Sequence, residues 1–338
     1  MSSATAATNA ATGDLRVEQK GEAGGGPPGP SSQRTRQAVE QARAQASDRV
    51  KAERRLGWML AGPAFLVMLS VTLYPILQAT YDSLFDYRLT DPDNRAFIGL
   101  RNYGVILTDP VWWRAFGVTS LITVITVVVE LVLGFALAMV MHKVLTNLRG
   151  VVRAAILIPY AIITVVSAFA WQFAFANDTG FVNTWFRLGQ LDWFGDFWTA
   201  LAVICASEIW KTTPFISLLL LAGLAQVPED MQEAAKVDGA TWWERFRRVT
   251  APSMKASIMV AVLFRALDAF RVFDNIFIMT NGAQGTESLS ILAYRQTISR
   301  VEIGLGSAVS VLLFLSVVLI AVGFVKAFKV DLAAGRDG

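Results

Sequence analysis

The 338-residue chain contains one cysteine, Cys205, and one histidine, His142. A single thiol forms no disulfide within the chain. One His and one Cys build no zinc or haem cluster and no Cys-His or Ser-His-Asp nucleophile. No G-x-x-x-x-G-K-[ST] stretch occurs, and the glycines of "NGAQGTES" (281–288) precede no Lys-Ser/Thr pair. The chain therefore has no cradle of the usual kind for ATP. Strand-like alternation is missing, which excludes a membrane barrel. Charge is scarce, at 17% of residues against 54% hydrophobic. No cleavable signal peptide is expected, because the first apolar run lies behind a 55-residue hydrophilic leader without an A-x-A site. The net charge of +3 says little, and no nucleic-acid partner and no metal are expected.

What is present is a series of long apolar runs. Leu56–Tyr81, Ala154–Asn177 and Ile303–Val325 carry no charge. Ala115–Met141 carries Glu130, and Phe197–Val227 carries Glu208 and Lys211. A helix of roughly 20 residues crosses a hydrocarbon core, so each run qualifies. A further run, Ala256–Met279, contains Arg265, Asp268, Arg271 and Asp274. It counts as the fifth of six expected membrane helices. Lipid leaves no partner for free backbone groups, so the expected class is an all-α integral membrane protein.

Lys and Arg decide the orientation. Seven lie between Arg34 and Arg55; Lys143, Arg149 and Arg153 follow the second run, Lys236 to Lys255 adds five, and Lys326, Lys329 and Arg336 end the chain. The opposite loops hold only Arg88, Arg95, Arg101, Arg114, Arg187, Arg295 and Arg300. The positive-inside rule places both termini in the cytoplasm. Residues 1–33 are rich in Ala, Gly, Ser and Pro and are expected to be a disordered cytoplasmic tail. Residues 34–55 read as a basic amphipathic helix that lies on the inner leaflet or extends the first span. The six-span domain is expected over 56–328, with a cytoplasmic loop at 226–252 and a short tail at 329–338.

The loop holds the least membrane-like stretch, "EAAKVDGATWWERFRRVTAP" (233–252). Pro228 suits a first helical position, with Glu229 and Asp230 at the positive end of the helix dipole. Gly239 is placed to end that helix in a left-handed turn. Thr241 and Glu244 form a capping box for a second helix, whose apolar face is Trp242, Trp243, Phe246 and Val249 and which is expected to stop before Pro252. Pattern alone leaves an amphipathic elbow on the membrane open. The small residues Ala234, Ala235, Gly239 and Ala240 instead suit a slim unit entering a cleft in another protein.

This stretch resembles the coupling motif of the permease subunits of bacterial ATP-binding-cassette importers, E-A-A, three residues, G, nine residues, I-x-L-P. Glu233-Ala234-Ala235, Gly239 and Val249-Thr250-Ala251-Pro252 keep the spacing, with Val for Ile and Ala for Leu. "FIGLRNYGVILTDPVWWRAF", "IPYAIITVVSAFAW" and "LFRALDAFRVFDNIFIMTNG" extend the likeness over about 55–328, toward the sugar-importer branch of maltose and trehalose type and the actinobacterial trehalose importers within it. The resemblance implies a six-helix type I importer domain whose coupling helix docks in a groove of an ATPase. The coupling residues are then Glu233, Ala234, Ala235, Asp238, Gly239, Ala240 and Pro252. It implies as partners two ATPase subunits that bind ATP and Mg, a second homologous permease, an extracytoplasmic sugar-binding lipoprotein and the lipid bilayer, with no cofactor in this chain. The expected location is the bacterial cytoplasmic membrane. A disaccharide such as trehalose is the expected cargo, with maltose or another oligosaccharide next and glycerol phosphate as the other solute class. A proton-coupled carrier using Glu130, Glu208 or Asp268 would not need the coupling motif. A membrane enzyme would need a catalytic set that is missing.

The membrane charges have two readings. Arg265, Asp268, Arg271 and Asp274 fall at steps of three, so neighbours are placed to pair as a structural ladder. Alternatively Asp268, Arg271, Asp274 and Asn275 line the passage. In the family, positions matching Lys211, Thr212 and Phe215 approach the sugar, and Pro214 is expected to break the helix beside it. Lys211 could instead pair with Glu208 or Asp268. Glu130 is expected to pair with a cation of another span.

Overall fold

A computed structural model describes residues 30–143 and 148–327, with the backbone alone for 30–54 and 149. Residues 1–29 of the expected tail, the tail 329–338 and the side chains of the expected basic helix lie outside this description. The chain divides by its contacts into a unit ending at Tyr74 and a unit beginning at Pro75.

Helix α1 runs Pro30–Asp82 without interruption, so residues 34–55 are helical and join the first span directly. Its apolar part, Arg55–Asp82, is long enough to cross a bilayer. Within the first unit Trp58, Leu60 and Val71 point away from any neighbour, with Leu60 74% exposed. Such a surface is stable only in contact with lipid or another chain.

The second unit is built on two long helices, α2 being the short helix Arg101–Thr108 that precedes them. Helix α3 (Pro110–Lys143) packs along α7 (Phe197–Leu224). Small residues permit the approach. A Cβ on Gly134 would come within 2.8 Å of Ile216 Cγ2, and Ala138 and Ala200 are fully buried. Between them in sequence lie α4 (Arg149–Ala161), α5 (Thr164–Ala174) and the short α6 (Phe181–Phe186). The 226–252 loop forms α8 (Glu229–Val237) and α9 (Trp242–Arg245), and α9 continues through a π-turn, Phe246–Thr250, into Ala251–Ser253. Helix α10 (Lys255–Ala269) packs on both α3 and α7. It is followed by α11 (Asp274–Met279), α12 (Leu289–Tyr294) and α13 (Ile303–Ala327).

Four features depart from the expected plan. Among the described residues only four helices are long and apolar enough to span singly, and a fifth crossing requires α4 and α5 together, bent by 84°. Pro159 sits just before that bend, and Ile162 and Ile163 are extended, with ψ of 136° and 132°. Proline removes a helical donor and β-branched residues tolerate extension well. The expected fifth span, 256–279, is two helices separated at 270–273, because Phe270 and Val272 turn into the core and Asp274 starts a new helix at its favourable end. Helix α7 passes unbroken through Pro214, where a break was expected. The Thr213 hydroxyl donates to the carbonyl of Ile209 at 2.5 Å, and Pro214 is itself buried in a helix packed along α3 and α10, so packing carries the helix through the proline. Finally, an antiparallel hairpin, β1 (Phe85–Arg88) and β2 (Asp91–Phe97), follows the first span. Arg95 lies over the rings of Tyr81, Phe85 and Tyr87 and bonds Asp82 at 2.6 Å, which closes it.

Candidate functional site

The 226–252 loop has a helix with no side chain buried in this chain. In α8 Glu233, Ala234, Lys236 and Val237 are exposed, Val237 to 88%. Pro228 is the residue before the helix rather than its first residue, and Glu229 and Asp230 occupy the first turn. Gly239 ends it with φ of +77°, a conformation that L side chains resist. The end is a double-bonded cap: Gly239 N–H donates to Lys236 O and Ala240 N–H to Ala235 O, at 3.1 and 3.0 Å. Asp238 is exposed at the last position before the glycine. Thr241 N–H donates to Glu244 at 2.9 Å and the Glu244 N–H returns to the Thr241 hydroxyl, the expected capping box. These bonds hold the Glu244 carboxyl below its ordinary range, the backbone N–H of Thr241 first and its hydroxyl second.

The second helix does not stop before Pro252. It widens into the π-turn 246–250, where Ala251 N–H reaches Phe246 O, and Pro252 continues the helical path. A proline cannot donate to the residue four back, and a wide turn removes that requirement. Trp242 and Trp243 stack on Phe246, whose ring meets Phe135 of α3 edge-on at 5.0 Å. Gln232 donates to Thr250 at 2.8 Å and ties α8 to this run. The loop is therefore a mounted platform, with the E-A-A helix outermost.

The membrane part contains a buried cluster around Arg265, which is 2% exposed at its side chain. Its Nε and one Nη donate to both oxygens of Glu130, at 2.5 and 3.0 Å. The same Nη reaches Glu208 at 3.1 Å and the other Nη reaches Asp268 at 2.7 Å. Thr212 donates to Glu130 at 2.6 Å, and Asn275 donates its amide N–H to Glu208 at 2.7 Å. Bidentate guanidinium–carboxylate pairing is the strong geometry for such a site, and each further donor offsets part of the cost of burying charge. Glu130 has the expected cation from another span.

The ladder expected along the fifth span does not form. Only Arg265 and Asp268 pair within it, since the helix ends at Ala269 and the three-residue spacing is lost. Arg271 is exposed and donates to Leu267 O at 3.1 Å; Asp274 is half-buried at the start of α11. Of the expected passage residues, Asp268 and Arg271 are open, whereas Asn275 is 1% exposed inside the cluster. Thr212 and Lys211 are buried too. Lys211 pairs with neither Glu208 nor Asp268 among the described residues; its ammonium lies 5.5 Å from the centre of the Tyr160 ring. Phe215 stacks on Tyr160 at 5.5 Å. The structure thus divides the expected passage set into an open pair, an aromatic patch and a buried cluster. Tyr160 and Gln232 carry no local motif that singles them out, and only packing reveals them.

Exposed apolar helices, a buried polar cluster and a loop raised clear of the core are the features of a membrane transport permease. Residues 104–330 match the family of binding-protein-dependent transport system inner membrane components, and the chain belongs to that family. It is a transport subunit of an inner membrane rather than an enzyme. It is 49% identical over 285 residues to the trehalose transport system permease protein SugA of Mycobacterium tuberculosis, covering 84% of this chain and 92% of that one. The trehalose/maltose transport system permease protein MalF of Thermococcus litoralis is 36% identical over 280 residues, covering 81% and 94%. The sulfoquinovosyl glycerol transport system permease protein SmoG of Agrobacterium fabrum is 36% identical over 267 residues, covering 78% and 86%. In fold the chain matches a chain in the crystal structure of a bacterial ABC transporter involved in the import of the acidic polysaccharide alginate. The TM-score is 0.71 at 19% identity, over 85% of this chain and 99% of that one.

Proposed function

We propose that this permease passes a disaccharide of the trehalose type across the bacterial cytoplasmic membrane, with both termini in the cytoplasm. The observation that carries the reading is the 49% identity to the mycobacterial trehalose permease over 92% of that protein's length. Two ATPase subunits bind ATP and Mg, and each closure is delivered through the E-A-A helix; this chain holds no cofactor. A second, similar permease completes the passage, and an extracytoplasmic binding protein delivers the sugar. The exposure of α8 on a braced platform supports the docking role of Glu233, Ala234, Ala235, Asp238, Gly239 and Ala240, while Pro252 lies in the brace rather than at the docking face.

The sugar meets the open Asp268 and Arg271 and the half-buried Phe215 and Asp274. Aromatic faces bind sugar rings and charged groups bind hydroxyls, the usual chemistry of such sites. Lys211, Thr212 and Asn275 act behind these residues. Asp268 and Arg271 fit poorly against lipid, where a charge at the centre costs about 2.5 to 3.5 kcal/mol on insertion scales.

The test is reconstitution in proteoliposomes with the two ATPases, the second permease and the binding protein, offering trehalose, maltose, a longer glucan, sulfoquinovosyl glycerol and glycerol phosphate. ATP-dependent uptake led by trehalose is expected. Uptake led by a glycerol-linked solute would overturn the substrate assignment. Proton-driven uptake by the chain alone would overturn the ATP-driven reading.

A further inference from the structure

The expected fifth span is broken, and one carboxylate touches both pieces. Glu208 Oε2 accepts from Arg265 of α10 at 3.1 Å, and Glu208 Oε1 accepts from Asn275 of α11 at 2.7 Å. Between those two residues the chain makes the turn 270–273, with Phe273 at φ −136° and ψ −63°. Glu208 itself sits mid-way along α7, the most deeply packed long helix. The two pieces differ in what else holds them. Arg265 is held by four bonds to three carboxylates. Asn275 has its amide nitrogen on Glu208, while its carbonyl oxygen is buried with no partner among the described residues. A polar group left unsatisfied in an apolar interior favours any rearrangement that pairs it.

The pieces lead to different ends of the molecule. Helix α10 starts at Lys255, directly after the coupling platform, and Met254 at that junction is 1% exposed. A Cβ on Gly223, at the end of α7, would lie 2.6 Å from Ser257 Cβ, so α7 and α10 are in close contact where they enter the platform. Helix α11 packs instead on α5, the far half of the bent crossing, and Gln172 of α5 donates to Ile278 O at 2.8 Å. A push on the platform reaches α10 first; it reaches α11 through the turn 270–273, through Glu208 and through the apolar packing of Ile276 and Met279 against α7.

We infer that Glu208 is a positioning residue that latches the two halves of the broken crossing. Its bond to Asn275 is the releasable half; its bond to Arg265 is the fixed half. While the latch is made, α11 and α5 move with α7 and α10. When ATPase closure shifts the platform, the Glu208–Asn275 bond yields, α11 turns at 270–273, and the free carbonyl of Asn275 finds a partner. Bistable packed elements convert small displacements into discrete steps in this way. The inference rests on the ATP-driven transport reading, and the parent complex in the same assay reports on that reading separately.

The experiment uses the reconstituted complex with Asn275→Ala, which removes the releasable bond and spares the Arg265–Glu130 pair, and with Glu208→Gln, which keeps shape and one acceptor oxygen. Spin labels at Phe264→Cys in α10 and Ile278→Cys in α11, with Cys205→Ser, read the distance across the turn. Asn275→Ala is expected to broaden that distance distribution before any nucleotide is added. It is also expected to raise ATP hydrolysis without sugar at least about fivefold over the parent. Glu208→Gln should fall between the two. A residue that only contacts sugar would change the KM for uptake and leave both readouts alone. Parent-like distances and parent-like sugar-free hydrolysis in both variants would overturn the latch. Failure of both variants to assemble would overturn it as well, by making Glu208 and Asn275 simple folding contacts. A parent complex without ATP-driven uptake would instead be a failure of the transport reading.

Discussion

At the scale of single residues, Arg265 decides most. It holds Glu130, which is fully buried, and Glu208 in the membrane interior. Replacing it by Met leaves two carboxylates without their cation, a change that costs about 3 to 5 kcal/mol where buried pairs have been broken. Arg265→Met is therefore expected to reach the membrane poorly or melt early in detergent; yield and melting temperature of the solubilised chain check it. Thr212 was expected, from the family resemblance, to contact sugar, but its hydroxyl serves Glu130. Thr212→Val removes a bond to a charged acceptor worth about 1.5 to 3 kcal/mol. It should lower the melting temperature along with uptake. Phe215→Ala, at the aromatic patch with Tyr160, should change uptake or sugar preference and leave the melting temperature near the parent's. Equal effects of the two variants on both measurements would erase this distinction.

At the scale of elements, the E-A-A loop is where local chemistry and architecture agree. Gly239 has open space around it, so a side chain there clashes with nothing in this chain; the obstacle is its positive φ. Gly239→Ala strains only the turn, by about 1 kcal/mol, and should reduce uptake modestly. Gly239→Trp adds a bulky group on the docking side and should abolish uptake with normal membrane levels. Uptake assays normalised to membrane content separate the two. The capping box has a pH signature. Glu244 titrates lower in the folded loop than its ordinary 4.5, so its contribution is complete above about pH 4.5 and is lost as pH falls through the lowered value. Backbone exchange of 242–245, compared with Thr241→Val at each pH, should show protection in the parent at neutral pH and convergence with the variant in acid.

At the scale of the whole molecule, the apolar surface of α1 and the open charges Asp268 and Arg271 are those of a part made to be covered. Lipid suits the first and not the second. Expressed alone, the chain should neither hydrolyse ATP nor move sugar, and co-expression with the second permease should raise its yield by shielding those charges. Yield of the single chain equal to that of the pair would argue against such an interface.

Reading the chain residue by residue determined the membrane class and much of the E-A-A loop. Those features rest on local physics: hydropathy over about 20 residues, a capping box three residues wide, a glycine where φ turns positive. The likeness to sugar-importer permeases was legible for the same reason, because the E-A-A stretch is contiguous. The charges of the fifth span were visible but not their partners. Glu130, Glu208 and Arg265 are separated by 57 to 135 positions, and no local rule pairs them. The breaks went the same way. Pro214 looked like a break and lies in an unbroken helix packed along α3 and α10, whereas 270–273 looked continuous and turns because Phe270 and Val272 find burial in the core. Tertiary packing alone decided which backbone groups had other partners and which charges met, and in an apolar interior those two conditions set where a helix must bend.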